Sequence, residues 1–303
     1  MPEAPSKKAP PQIRRQVAGF YRYYVGDFEI TALFDGYSPR ALDANYVVNA
    51  PLDELRAVLA SRCMPTDVIG GSYTCVTINT GSRLVLIDAG FADNGPPAAG
   101  KMAANMAAAG IDPKTIDTVL ISHFHGDHIL GLRSKNDELI YSNAQIAVPA
   151  DEWTYWMDDA RMNAAPEAGR ASFQTARRIF APIAKEVRRF NADDEVIPGV
   201  RAMATPGHAF GHTSFLIESG GQKLIVVGDV CNDPRVFARR PDFQLGFDMD
   251  KPRAVETRRK LLDFAASEQT PLAFYHAPFP GVGRVRRDGD GYEWNPAAFN
   301  PNC

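Results

Sequence analysis

A chain of 303 residues can bury a sizeable core, as one large layered fold or as two smaller units. Its 33 basic and 36 acidic residues are interspersed and leave a formal charge of -3, which excludes the basic footprint of a nucleic-acid or anionic-membrane binder and favours a small-molecule partner. Four cysteines, Cys63, Cys75, Cys231 and Cys303, lie far apart without a CxxC pair, so neither a disulfide framework nor a thiolate zinc site is expected.

No stretch approaches the ~18 consecutive apolar residues of a membrane span, and the opening MPEAPSKKAPPQIRR lacks the apolar centre of a secretory signal. The expected compartment is the cytoplasm, or the periplasm if the N-terminus has been trimmed. Residues 1–19, rich in Pro, Lys and Ala at their start, read as a flexible leader, and 20–303 as one folded domain. Within YYVGDFEITALFDGY, Phe28, Ile30, Ala32 and Phe34 alternate as in a half-buried strand. PLDELRAVLASR is a helix by the spacing of Leu52, Leu55, Val58 and Leu59. CVTINTGSRLVLIDAG then supplies strand, turn (Asn79 to Ser82) and strand, ending on Asp88. Helical segments follow at Lys101 to Ala109 and from Ile129 onward, and the stretch around 150–190 is mostly helical and unusually aromatic. FLIESGGQKLIVVGDV repeats the strand, glycine turn and strand, stops on Asp229, and is followed by a helix over Pro252 to Ala266. Paired strands with helices after them predict two sheets packed face to face, one from each half, with helices outside: an α+β, four-layer αβ/βα sandwich. The site then lies where the strand ends of the two halves meet.

The stretch LISHFHGDHILGL places three histidines and an aspartate at the end of an apolar strand, where loop side chains can converge free of helix or strand periodicity. Imidazole and carboxylate together suit Zn²⁺ and its first-row neighbours, and such a cluster is costly to bury without a metal. The chain has only six histidines: His123, His125 and His128 here, His208 and His212 in TPGHAFGHT, and His276 in FYHAPFPG. All lie at strand ends or in glycine-bearing loops, a distribution that scattered structural histidines would not produce.

With these residues in view, the sequence resembles the metallo-β-lactamase-fold hydrolases, whose motifs match in order as LIDAG with Asp88, HFHGDH, TPGHAFGH, VVGDV with Asp229 and YHAPF with His276. The likeness runs from about Tyr21 to Trp294. It is strongest to methyl parathion hydrolase and its lactonase relatives, through YVGDFEITALFDG, NTGSRLVLIDAG, AVETRRKLLDF and FPGVGRVRRDGDGYEW. The resemblance implies two divalent metal ions, with zinc expected first and manganese, cobalt or iron as alternatives. It assigns His123, His125 and His212 to one ion and Asp127, His128 and His276 to the second, with Asp229 bridging. Asp88 is expected to orient the loop and ligands through hydrogen bonds, and His208 to support the ligands without binding metal.

Two ions sharing Asp229 would also share a water and lower its pKa from near 15.7 toward ~7, giving a bridging hydroxide as the nucleophile. No serine or cysteine nucleophile is then needed, and neither a GxSxG run nor a base beside Cys231 is present. Asp127 is a candidate to hold the leaving group's proton. Related lactonases that cleave acyl-homoserine lactones commonly carry a tyrosine three residues after the bridging aspartate; here that position is Asn232, whose amide can also donate a hydrogen bond. Trp153 and Trp156, with Phe279 after the last histidine, are candidate walls of a pocket for an aromatic leaving group. The expectation is a dinuclear metallohydrolase of lactones and aryl esters, with phosphotriester cleavage as a main or side activity. An acyl-homoserine lactonase is the first alternative, and a β-lactam or thioester hydrolase or a di-iron redox protein is more remote. The partner expected is a small-molecule ester or lactone, with no nucleic acid and no membrane, and a homodimer is allowed.

Overall fold

A hairpin of β1 (Phe20–Val25) and β2 (Phe28–Ala41) starts the first of two sheets in the computed structural model, which describes residues 12, 14 and 16–300. Most of the expected leader, and Cys303, lie outside the described residues. The sheet continues in strict chain order through β3 (Val68–Asn79), β4 (Leu84–Ile87), β5 (Thr118–Leu120), β6 (Gln145–Pro149) and β7 (Arg188–Phe190). Neighbours are antiparallel from β1 to β4 and parallel from β4 to β7.

The second sheet takes β8 (Glu195–Ile197), β9 (Val200–Ala204), β10 (Thr213–Ser219), β11 (Gln222–Gly228), β12 (Leu272–Phe274), β13 (Val282–Asp288) and β14 (Gly291–Pro296), again side by side in chain order. In both sheets the switch from an antiparallel hairpin to a parallel neighbour follows a motif aspartate: β4 before Asp88 pairs with β5, and β11 before Asp229 pairs with β12. This is the internal repeat seen in the sequence.

The helices are α1 (Leu52–Ser61), α2 (Met102–Ala108), α3 (Gly126–Ile129), α4 (Ala150–Trp156), α5 (Asp159–Ala164), α6 (Glu167–Phe180), α7 (Pro234–Phe237) and α8 (Lys251–Ser267). Between the sheets pack Ile30, Val76, Ile78, Val85, Ile87 and Leu120 from one and Val200, Phe215, Ile217, Leu224 and Val226 from the other. The outer face of the first sheet is covered by Met102, Met106, Trp156, Phe173 and Phe180, that of the second by Leu55, Leu59, Val236, Leu261 and Leu262. The result is the expected α+β sandwich, helices outside two mixed sheets.

Two local expectations are corrected. β2 is not half-buried: Ile30 enters the inter-sheet core while Leu33 packs under α2, because both faces of the sheet are covered. In place of the helix expected from Ile129 onward, the single turn α3 ends at Ile129 and a 3-10 turn over Leu130–Leu132 follows. The helix α1, from the first half, packs on the second sheet, since the long β2–β3 connection crosses over. The α8 helix starts after Asp250, whose carboxylate accepts from the Arg253 N–H, with Pro252 in the first turn where its missing donor costs nothing.

Candidate metal centre

The parallel strands β4, β5, β11 and β12 all end on the same rim, and the loops leaving them carry Asp88, His123 to His128, Asp229 and His276. His208 and His212 arrive from the loop before β10. Open strand ends of this kind let side chains from distant parts of the chain converge.

Two groups of ligand-type side chains result, each with its ligand atoms within 4.8 Å of one another: His123, His125 and His208, and Asp127, His128, Asp229 and His276. The groups touch, since His208 Nε2, 2.8 Å from His125 Nδ1 in its own group, lies 3.3 Å from Asp229 Oδ2 in the other. Asp229 sits between them, its Oδ2 2.9 Å from His276 Nε2 and its Oδ1 3.2 Å from His128 Nε2. Asp127 Oδ2 stands 3.5 Å from both His128 Nε2 and His276 Nε2.

The two histidines of TPGHAFGH stand opposite to the expectation: His208, not His212, falls in a ligand-type group. Both ring nitrogens of His212 are occupied: Nδ1 shares a hydrogen bond with Thr205 Oγ1 at 2.8 Å, and Nε2 accepts from the Asp229 N–H at 3.0 Å. His208 instead aims Nε2 at His125 and Asp229 while Nδ1 meets Asp248 Oδ1 at 2.9 Å. His212 is thus a bolt between loops. Gly228 at φ +56 makes room for it: a Cβ there would come within 2.6 Å of His212 Nε2.

His123, His128, His208 and His276 are each fixed from behind. Asp88 accepts from the Ser122 N–H and Oγ–H at 2.8 Å each and meets His128 Nδ1 at 2.8 Å. Ser122 Oγ also lies 3.0 Å from His123 Nδ1, and the Ser72 carbonyl 3.0 Å from His276 Nδ1. Asp248 is itself held 3.5 Å from the guanidinium of Arg258, a fully buried arginine that donates to the Val230, Pro241 and Phe243 carbonyls.

Among the described residues, three buried polar atoms in this centre have no well-aligned hydrogen-bond partner: His123 Nε2, and His128 Nε2 and Asp229 Oδ1, which lie 3.2 Å apart without the geometry of a hydrogen bond. Leaving such atoms unsatisfied costs about 1–3 kcal/mol each, and cations held in the two groups would satisfy all three. Burial, together with neighbouring histidines, pushes the pKa of His123 and His125 well down, so both keep free lone pairs. Asp229 is held well below the usual carboxylate range despite its burial, by His276, His128 and His208. His128 and His276 are instead drawn up despite their burial by Asp127 and Asp229, whose negative charge calls for a cation. Imidazoles and carboxylates gathered in this way are a donor set for two divalent cations, which displace the ring protons on binding, and the residues fit them.

Sequence reasoning missed Glu152. Its carboxylate is fully buried and accepts from the Phe124 N–H at 2.8 Å, the Gly211 N–H at 2.7 Å and Trp156 Nε1 at 2.8 Å. It thereby joins the two histidine loops to α4. A glutamate in an acidic helix start carries no signal of this in sequence, and neither do Tyr46, Asp248 or the buried Arg258.

A cavity of about 820 Å³ opens over the centre, lined by His125, Asp127, His208, Asp229, Asn232 and His276 at its floor. Tyr46, Tyr73, Tyr155, Trp156, Phe173 and Phe247 form aromatic walls. Of the expected wall residues, Trp156 is present, but Trp153 and Phe279 are not among those lining it. Trp153 lies against Phe180 and under the Arg189 guanidinium, 4.2 Å from its ring centre; Phe279 packs edge-on to Phe34. Cys231 is buried and burial pushes its thiol up to about 12, so it offers no thiolate.

The model for the metallo-beta-lactamase superfamily matches residues 68–276. An N-acyl homoserine lactonase from Bacillus sp is 25% identical over 254 residues, covering 73% of this chain and 92% of the relative. Among solved structures, the dizinc quorum-quenching lactonase AidC superposes with a TM-score of 0.88 at 25% identity, over 93% of this chain and 98% of the other. The hydrolase AbOPH of the beta-lactamase superfamily gives 0.87 at 29% identity, over 94% and 100%.

Proposed function

The chain belongs to the metallo-beta-lactamase superfamily and is a metal-dependent hydrolase, and from that premise we propose that it cleaves lactones and aryl esters at a dinuclear, zinc-type centre. One ion would be held by His123, His125 and His208, the other by Asp127, His128 and His276, with Asp229 shared. The observation that carries the reading is these two abutting ligand groups, with unsatisfied buried atoms, on the floor of an aromatic-walled cavity. When bound, such ions supply a nucleophile from water at neutral pH and Lewis-acid polarisation of the attacked C=O or P=O.

The protein's own residues do the rest. Asp88, Ser122, Asp248 and the Ser72 carbonyl lock the rings in ligand orientation. Asp127, with a side chain 20% exposed, is the carboxylate open enough to take up a proton and pass it to the leaving group. The aromatic walls exclude water and give a flat or acyl group apolar surface to lie on. Likeness to methyl parathion hydrolase in the C-terminal run supports phosphotriesters as further substrates.

Relatives that are N-acyl homoserine lactonases favour a second reading within the same chemistry, in which the substrate is an acyl-homoserine lactone. Measuring kcat/KM for dihydrocoumarin, an aryl acetate, a long-chain acyl-homoserine lactone, a paraoxon-type triester and nitrocefin separates the readings. At least roughly tenfold preference for dihydrocoumarin or the aryl ester, ~1.4 kcal/mol in transition-state stabilisation, is expected. Preference for the homoserine lactone would install the second reading, and turnover of nitrocefin alone would sink both.

A further inference from the structure

Asn232 lies three residues after Asp229 and lines the cavity beside it, yet it is only 7% exposed. Its amide is not free to turn. Tyr46, from the loop after β2, brings its phenol to the same spot, and the Tyr46 O–H donates to Asn232 Oδ1 at 3.1 Å across 186 residues of chain. The phenol is 5% exposed and is wedged by Phe237 and Phe247, with the Arg40 guanidinium 4.8 Å over its ring. Burial, aided by Asp233, Asp248 and Asp229, pushes its pKa up, so it stays a donor across the working range.

A primary amide has one acceptor oxygen and two N–H donors on opposite arms. With Oδ1 committed to Tyr46, the arm left for the cavity is Nδ2, for which no partner is seen among the described residues and which is not sealed from the cavity. We propose that Asn232 donates a hydrogen bond from Nδ2 to the substrate oxygen on which charge develops, and that Tyr46 is a positioning residue that sets the amide for that task. The inference rests on the ester and lactone reading above and adds the group that discriminates transition state from ground state. A donor fixed before substrate arrives requires no reorganisation as the charge appears, and donors so placed are typically worth ~10²–10³ in kcat. The pairing also gives Tyr46 a reason to be buried with its hydroxyl at the cavity floor rather than turned to water.

The test compares the metal-loaded full chain with Tyr46→Phe, Asn232→Ala, Asn232→Asp and the Tyr46→Phe/Asn232→Ala pair. Elemental analysis and thermal melting run alongside to confirm that each variant keeps its metals and fold. Two readouts are taken: kcat and KM on dihydrocoumarin, and the Kd of a phenyl methylphosphonate, a stable tetrahedral anion, by calorimetry. Asn232→Ala is expected to lower kcat ~100-fold with KM within about twofold, and Tyr46→Phe ~10-fold. The pair should be no worse than Asn232→Ala alone, because Tyr46 acts only through the amide. Asn232→Asp, which keeps the acceptor and lacks the donor, should match Asn232→Ala. Phosphonate affinity should follow the same order. Multiplying effects in the pair, full activity in Asn232→Asp, or phosphonate binding that is absent or equal in all five proteins would overturn the proposal. If the unmutated protein binds the phosphonate and the variants weaken it in order while no lactone or ester turns over, the substrate reading falls and the Asn232 assignment stands.

Discussion

His208 and His212 stand only four positions apart, and the two rings have different tasks. His208 presents Nε2 to the metal side with Asp248 behind it, whereas His212 is tied at both nitrogens, to Thr205 and to the Asp229 N–H. Replacing His208 by Ala should therefore remove about one metal per chain and at least ~10³ of activity. His212→Ala should keep both metals on loading but lose about 2–4 kcal/mol in a denaturant melt, from the cavity and the orphaned Asp229 N–H. Equal metal loss in the two variants, read by elemental analysis, would contradict the assignment. Spacing could bring both histidines to the site but could not say which would point in, because that depends on partners, Thr205 and Asp248, that carry no motif. Glu152 is a similar case. Glu152→Ala leaves the Phe124 N–H, Gly211 N–H and Trp156 Nε1 without their acceptor, and should cost about 3 kcal/mol or more of stability, measured by urea unfolding. Unchanged stability would mean water replaces the carboxylate at no cost.

Among elements, the strands that carry the motif aspartates were legible because their apolar runs end in turn and metal-type residues, and α1, α2 and α8 because their apolar spacing is helical. What the sequence could not reveal was which face of a short aromatic helix meets the cavity. In α4, Trp156 is buried and lines the site, its Nε1 bonded to Glu152, while Trp153, three positions earlier, turns toward Phe180 and Arg189. A helix advances about 100° per residue, so three positions bring two side chains near one face without making them coincide, and the neighbours decide the rest. The two tryptophans should accordingly separate by assay. Trp156→Ala is expected to raise KM for dihydrocoumarin about tenfold or more, with smaller effect on a compact aliphatic ester. Trp153→Ala should leave KM within about twofold and lower stability by about 1–3 kcal/mol, from lost packing and the cation–π contact. A KM effect in Trp153→Ala equal to that in Trp156→Ala would show that both rings touch substrate.

For the whole molecule, the metal centre is also a fastener between the two sheets, since its groups come from β4, β5 and the loops before β10, after β11 and after β12. A cation that binds only the folded state stabilises it by mass action, ~4 kcal/mol at a free concentration a thousand times Kd. Chelation should therefore lower the melting temperature, and added zinc should restore it. A melting temperature indifferent to chelator would argue that the loops are held without metal. Two ions in two adjacent groups, with Asp229 between them, are what the site's geometry requires. Anomalous diffraction at the metal absorption edge, from crystals of protein never exposed to chelator, tests this most directly. Two peaks are expected, one among His123, His125 and His208, the other among Asp127, His128 and His276, both within bonding distance of Asp229. A single peak, or a peak bonded to His212 Nε2, would contradict it.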